Sequence, residues 1–222
     1  MLQLVTTGDG SKTIYHPEVG ENYHSKHGAL QESRHVFLNS GLVYFLENHP
    51  NKEVKLLEVG FGTGLNFLLT AEYCSTKDIN LRYTGIEAYP LNESLISQTG
   101  YREFVSEDLW NSFITEYPNA LNQSIRITGT CELLIAHTKL AEFACTELYD
   151  VIYFDAFAAI HQPEMWTVES LEHACKFLKS GGVFVTYAIT GNLKRAMKSL
   201  GFSIEKAPGA PGKREMLRAV KL

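Results

Sequence analysis

Apolar and polar positions change period along this chain, and the changes mark out its elements. Residues 1–28 alternate short strand-like pieces with the turn clusters TTGDGSKT and HPEVGENYHSKHG, which predicts β-hairpin elements rather than a linker. From Gly28 to Asn48 the period becomes helical. Leu30, Phe37, Leu38, Leu42, Phe45 and Leu46 are available for a buried side, and Ser40-Gly41 is expected to interrupt it. A strand–helix alternation then begins. VKLLEVGF (54–61), a short apolar run ending in glycine, predicts a buried strand, and a helix is expected over 64–75. Further strands are expected at 81–88, as a pair within 122–137 turning at Thr128-Gly129-Thr130, at 149–157 and at 181–189. Helices are expected within 90–118, near 138–146, over 167–178 and over 191–200, and the segments 202–208 and 214–222 predict a closing antiparallel pair. Parallel strands need crossovers, usually helical, so this order predicts a doubly wound α/β fold. The division expected is a β-hairpin element over 1–28 and one α/β domain over 29–222.

Composition narrows the class. With 45% hydrophobic and 20% charged residues in 222, the chain has an ordinary globular balance and enough length for one full core. No apolar run approaches the ~20 residues of a membrane span, and MLQLVTTGDGSKT lacks the basic start and apolar core of a signal peptide. A cytoplasmic protein without membrane attachment is expected. The four cysteines and eight histidines form no C-x-x-C, H-E-x-x-H or similar ligand spacing, so no metal is expected. The net charge of −5 argues against a wholly basic coat for nucleic acid, but it is unevenly spread. Residues 191–222 hold eight basic against two acidic side chains, a surplus of six that leaves −11 for residues 1–190. That asymmetry reads either as a basic patch at one edge or as an ordinary solvated surface.

Glu58-Val59-Gly60-Phe61-Gly62-Thr63-Gly64-Leu65-Asn66 sits where a buried strand hands over to a helix. Glycine suits a sharp turn that a ligand approaches closely. A dinucleotide fingerprint would need a glycine where Leu65 stands, and no lysine follows as in a phosphate-cradling loop. Both a pyrophosphate site and a nucleoside triphosphate site are disfavoured. Glu87 closes the second strand, where a carboxylate can accept two hydrogen bonds from a ribose diol; the alternative is an exposed strand-end acid. Asp155 closes the strand YDVIYFDAF, on the rim where open α/β sheets bind ligands; the alternative is a helix N-cap or turn aspartate. Trp166, in the loop beyond, reads as a core anchor before a stacking platform.

The motif E-x-G-x-G-x-G resembles the first motif of class I S-adenosylmethionine methyltransferases. Four segments resemble one family more closely: NYHSKHGALQESRHVFLNSG (22–41), GFGTGLNF (60–67), DAFAAIHQPEMWT (155–167) and GAPGKREML (209–217). In that order they are similar to signatures of the tRNA 5-methylaminomethyl-2-thiouridine methyltransferases, found as the N-terminal half of bifunctional MnmC and as stand-alone MnmD. The resemblance implies a Rossmann-like, seven-stranded, mostly parallel sheet with a small N-terminal β element. It implies S-adenosylmethionine bound by Glu58, Gly60, Phe61, Gly62, Thr63, Gly64, Asn66, Glu87 and Ala88. The implied reaction is methylation of the primary amine of 5-aminomethyl(-2-thio)uridine at the tRNA wobble position. Asp155 would orient that amine and accept or relay its proton. Tyr23, Phe157 and Trp166 are implied at the substrate, with Arg34, Lys213 and Arg214 toward anticodon-arm phosphates. Arg34 and Arg214 read equally as partners of acids such as Glu32 and Glu215. The flavin-dependent half of MnmC needs several hundred further residues, so no FAD is expected.

Two positions depart from the family pattern. Ala159 replaces the proline usual after D-x-F-A, with a looser loop behind Asp155 as the expectation. Ala136-His137-Thr138 stands where relatives carry Gly-Asp, which leaves the adenine contact unassigned. A polyamine aminopropyltransferase shares the fold but needs paired acids around the third and fourth strands. A non-catalytic RNA- or cofactor-binding module is the other alternative, and a dehydrogenase is disfavoured by Leu65.

Overall fold

The computed structural model describes residues 1–222. Strands β1 (Gln3–Thr6), β2 (Lys12–His16) and β3 (Glu21–Asn22) form a three-stranded antiparallel sheet in sequence order. The turn between β1 and β2 is held by Asp9, whose Oδ1 accepts from the Thr7 and Ser11 hydroxyls. Its Oδ2 accepts the Gln31 N–H at 2.9 Å, which ties the small sheet to the helix that follows. Ile14 of β2 is fully buried in the apolar cluster that also holds Leu56, Phe67 and Tyr83, so the two sheets share a core.

The helical stretch after Gly28 is continuous, and this corrects the expected break at Ser40-Gly41. Helix α1 (Ala29–Glu32) passes into a π-helical segment, Ser33–Val43, and then into α2 (Tyr44–Asn48). The wider winding carries the chain through the pair. The Ser40 hydroxyl donates to the His35 carbonyl at 2.8 Å, and Gly41 lies so close to Tyr153 and Val185 that a Cβ would collide with both. The small residues serve helix–sheet contact, not helix termination.

The main sheet is built from β4 (Glu53–Val59), β5 (Asn80–Glu87), β6 (Ile125–Thr128), β7 (Cys131–His137), β8 (Tyr149–Phe154), β9 (Leu178–Thr186), β10 (Phe202–Pro208) and β11 (Glu215–Lys221). Its order is β10-β11-β9-β8-β4-β5-β7-β6. It has eight strands: the antiparallel pair expected within 122–137 is β6 and β7, and β6 adds an edge to the seven strands that the family resemblance implies. The five central strands run parallel, and β10 and β11 close the far edge antiparallel. Helices α3 (Leu65–Thr76), α4 (Glu93–Ser97), α5 (Glu107–Glu116), α6 (Val168–Cys175) and α7 (Gly191–Ser199) connect them. Strands buried on both faces read as apolar runs, and β8 has all six residues buried. Strand order reverses at β4, which pairs β5 on one side and β8 on the other. Ligands of open α/β sheets bind beyond the carboxyl ends at such a switch point. Here those ends carry Gly60 and Asp155.

Candidate active site

After Val59 the chain must turn over the sheet edge and start α3. Gly60, Gly62 and Gly64 take φ values of 87°, 53° and 78°, the left-handed region that side chains rarely adopt. Space is as restrictive as torsion. A Cβ on Gly60 would run into the Asp155 carbonyl, and one on Gly62 would lie 2.9 Å from the Tyr23 ring. The loop is thus wedged between the rim of β8 and the N-terminal sheet. The N–H groups of Gly60 and Phe61 both donate to the Ile86 carbonyl, at 3.0 and 3.1 Å.

Glu87, at the end of β5, is half-buried beside this loop. Its Oε2 accepts the Gly62 N–H at 2.8 Å and its Oε1 the Tyr89 N–H at 2.9 Å. A carboxylate offers about four acceptor positions, so roughly two remain for a diol. Beneath the loop Glu58 is fully buried, its Oε2 accepting from the Tyr83 hydroxyl at 2.7 Å and its Oε1 from Asn66 Nδ2 at 2.8 Å. The same Asn66 Nδ2 donates to Asp155 Oδ2 at 2.8 Å, while Asn66 Oδ1 is buried without a partner. One amide therefore bridges the first glycine-loop acid and the rim acid.

Burial lifts the Glu58 carboxyl to about 8 against the pull of its Tyr83 and Asn66 hydrogen bonds. Asp155 is held well above the usual carboxylate range, by burial first and then by the charges of Glu32 and Glu58. The Asn66 bond and Lys213 oppose that rise. Burial also raises Glu87, against the backbone N–H groups it accepts. Removing a charge from water favours the neutral form, and like charges nearby add to the effect.

The segment behind Asp155 is tied at every residue despite Ala159. The Asp155 N–H donates to the Val59 carbonyl at 2.8 Å, and the Ala156 carbonyl accepts from the Tyr187 hydroxyl at 2.8 Å. The Phe157 carbonyl accepts from Trp166 Nε1 at 2.7 Å, and the Ala158 N–H donates to Glu21 Oε2 at 2.8 Å. The looser loop expected from the missing proline is corrected by these four bonds, which come from four different parts of the chain.

The residues singled out from the sequence do not all meet at one place. Gly60, Gly62, Gly64, Asn66, Glu87, Asp155, Tyr23 and Phe157 converge on one face; Tyr23 and Phe157 meet edge-on with ring centroids 5.2 Å apart. Thr63 is buried in the loop, and Ala88 lies half-buried just past β5. Phe61 turns away into the core, its ring 6.4 Å from those of Tyr83 and Tyr117. Trp166 packs edge-on against Phe154 at 5.2 Å, the anchoring role read first from the sequence. Arg34 and Arg214 are exposed and make no ion pair. The acids suggested for them are otherwise engaged, Glu32 by Lys213 at 3.2 Å and Glu215 by Lys206 at 3.9 Å. Lys213, itself exposed, thus directs its ammonium to Glu32.

Sequence reasoning missed Glu32, Tyr187 and Glu21. Glu32 lay inside a quoted segment and Tyr187 just past a strand end, so position on the rim was a usable signal for both. Glu21 carried none.

The donor set decides which ligand suits this face. Glu58, Glu87 and Asp155 surround the loop, Glu21 and Glu32 stand near, and Lys213 brings the compensating positive charge. A phosphate-bearing cofactor would meet carboxylates. A nucleoside with a diol and a positively charged sulfur fits, and the unpartnered Asn66 oxygen offers it or an acceptor amine a buried hydrogen-bond acceptor.

Parallel central strands, a glycine loop and acidic rim at the switch point, and an antiparallel closing pair define a class I S-adenosylmethionine-dependent methyltransferase fold. The chain belongs to the family described as S-adenosyl-L-methionine-dependent methyltransferase, whose model matches residues 105–222. It is 29% identical over 97% of its length to the "tRNA 5-methylaminomethyl-2-thiouridine biosynthesis bifunctional protein MnmC" of Magnetococcus marinus, covering 34% of that protein. To the protein of the same name from Leptospira interrogans it is 32% identical over 88% of its length, covering 32% of that one. The chain spans about a third of the length of these curated relatives. Among solved structures it is similar to MnmC2 from Aquifex aeolicus, with a TM-score of 0.79 at 23% identity, over 99% of this chain and 70% of that one. No helix is long and apolar enough to cross a membrane.

Proposed function

We propose that this chain methylates the primary amine of 5-aminomethyl(-2-thio)uridine at the wobble position of tRNA. S-adenosylmethionine, when bound, supplies an activated methyl group on a cationic sulfur. The reading is supported by the relatives' names and carried by one observation: Asn66 joins the glycine-loop acid Glu58 to the rim acid Asp155. The cofactor loop and the group facing the acceptor are therefore set by a single amide.

Glu87 holds the ribose diol with its two spare acceptor positions, and the backbone of Gly60–Gly64 lets the cofactor approach closely. Asp155 takes the proton that an alkylammonium must lose before its nitrogen has a lone pair to offer. An ordinary aspartate is too weak a base for this, so burial beside two other acids matters to the chemistry. Tyr23 and Phe157 form the aromatic wall against which the uridine base rests. Arg34 and Arg214, exposed and free of ion pairs, meet phosphates of the anticodon arm. The aminopropyl-transfer reading finds no support among the relatives named.

Nucleoside mass spectrometry tests the activity. tRNA lacking the modification, incubated with the protein and S-adenosylmethionine, gains one methylene on the wobble nucleoside; no gain with a cofactor-competent protein overturns the assignment. Asp155→Ala abolishes turnover, at least ~10²-fold, while calorimetry shows S-adenosylhomocysteine still bound. Near-normal turnover in that variant removes Asp155 from the mechanism.

A further inference from the structure

The loop joining β10 to β11 delivers a lysine to the transfer site. Gly209 N–H donates to the Arg214 carbonyl at 3.1 Å and Lys213 N–H to the Ala210 carbonyl at 2.8 Å, closing a tight turn. Gly212, at φ 90°, packs so closely on the His27 ring that no side chain fits there. From this turn Lys213 Nζ reaches Glu32 Oε2 at 3.2 Å and stands 3.9 Å from the centroid of the Tyr187 ring. Glu32 is 4% exposed, and its other oxygen accepts the Ser25 N–H at 2.8 Å. Tyr187 is pinned by its hydroxyl to the carbonyl next to Asp155.

The charged and titratable groups around this point come from every neighbouring element. They are Asp9 between β1 and β2, Glu21 on β3, His27 before α1, Glu32 on α1, Glu58 on β4, Asp155 after β8, Tyr187 after β9 and Lys213 itself. His24, between β3 and α1, is buried, and that burial pulls its imidazole down to about 4. Lys213 is the cation that acts on Asp155.

We propose that Lys213 is a positioning residue of the transfer site: clamped by Glu32 and Tyr187, its ammonium balances Glu32 and so sets the charge carried by Asp155 and by the acceptor amine. This rests on the amine acceptor proposed above. The step concerned is a proton transfer, in which the Asp155 carboxylate and an alkylammonium become a carboxylic acid and a neutral amine. An unbalanced negative charge beside them raises the proton affinity of both groups, and the acceptor is then held as an inert ammonium. An unbalanced positive charge lowers both. Opposite charges within a few ångströms move such equilibria by about one pH unit or more.

That sign argument makes the two partners distinguishable. Lys213→Met leaves Glu32 unbalanced, so the acid limb of the pH–rate profile moves up by about one unit, roughly a tenfold loss below it. Glu32→Gln keeps an acceptor for Ser25 and leaves Lys213 unbalanced, so the limb moves down. The double variant returns near the wild-type profile, and Lys213→Arg retains it. A second readout needs no turnover: the Asp155 carboxyl resonance, titrated in the cofactor-free protein, moves in the same two directions. If both single variants keep the wild-type titration and lose only thermal stability, Lys213 is a staple between hairpin and helix and the proposal is overturned. If the wild-type protein methylates no aminomethyl nucleoside, the acceptor reading falls, and the carboxyl titration still decides the role of Lys213.

Discussion

At the scale of single residues, the site is a set of acids kept out of water. Glu58 shows how that couples catalysis to stability. Its carboxyl titrates near 4.5 in an unfolded chain and at about 8 when folded, so between those values the folded state binds more protons. The sign follows directly: Glu58's contribution is fully present below about pH 4.5 and is lost as pH rises through about 8. Over that window the loss is on the order of a few kcal/mol. Glu58→Gln keeps hydrogen-bonding groups for Asn66 and Tyr83 while removing the titration. Its thermal midpoint therefore falls less with rising pH than that of the wild type, the residual slope coming from the other enclosed acids, Asp155 and Glu87. Equal slopes in the two proteins would count against an enclosed, protonated Glu58. At this scale the sequence was legible where residue type and strand end coincided, as for Glu58, Glu87 and Asp155. Phe61 and Lys213 were not: which way a side chain leaves the backbone depends on neighbours that arrive from far along the chain.

At the scale of elements, most strands and helices were readable within a few residues, because burial on both faces imprints an apolar run on each central strand. The π-helical segment Ser33–Val43 was not readable, since Ser40-Gly41 has the composition of a break and only the sheet beneath shows why it continues. The loop Asp155–Ala158 was misjudged for a similar reason. Its rigidity comes from Val59, Tyr187, Trp166 and Glu21, none of which is its own neighbour in sequence. Glu21 offers a clean test because it grips the loop through one bond. Glu21→Ala frees the Ala158 N–H, and kcat falls by about tenfold with S-adenosylhomocysteine affinity unchanged, since misplacing a reacting group by a fraction of an ångström is costly. Glu21→Gln restores the acceptor and the rate. A fall in cofactor affinity instead would show that Glu21 supports the glycine loop and not the Asp155 segment.

At the scale of the whole molecule, the N-terminal segment and the closing hairpin both pack at the rim, bringing Tyr23 onto Gly62 and Lys213 onto Glu32. The basic surplus of residues 191–222 is accordingly divided: Lys213 is paired with Glu32, while Arg214 makes no ion pair. If tRNA is held through phosphates, Arg214→Ala reduces the salt dependence of binding by about one contact's share, whereas Lys213→Met leaves that slope unchanged. Fluorescence titrations over a range of salt concentrations read both, and an equal effect of the two variants would place Lys213 at the RNA. By itself the sequence determined the alternation of elements, the glycine loop and the acids at strand ends, because those depend on local periodicity and on torsions only glycine tolerates. The unbroken helix, the stitched Asp155 loop and the pairing of Lys213 with Glu32 were decided by the tertiary structure. Each of them is a contact between segments distant in the chain, and no local pattern records which distant partner will satisfy a buried polar group.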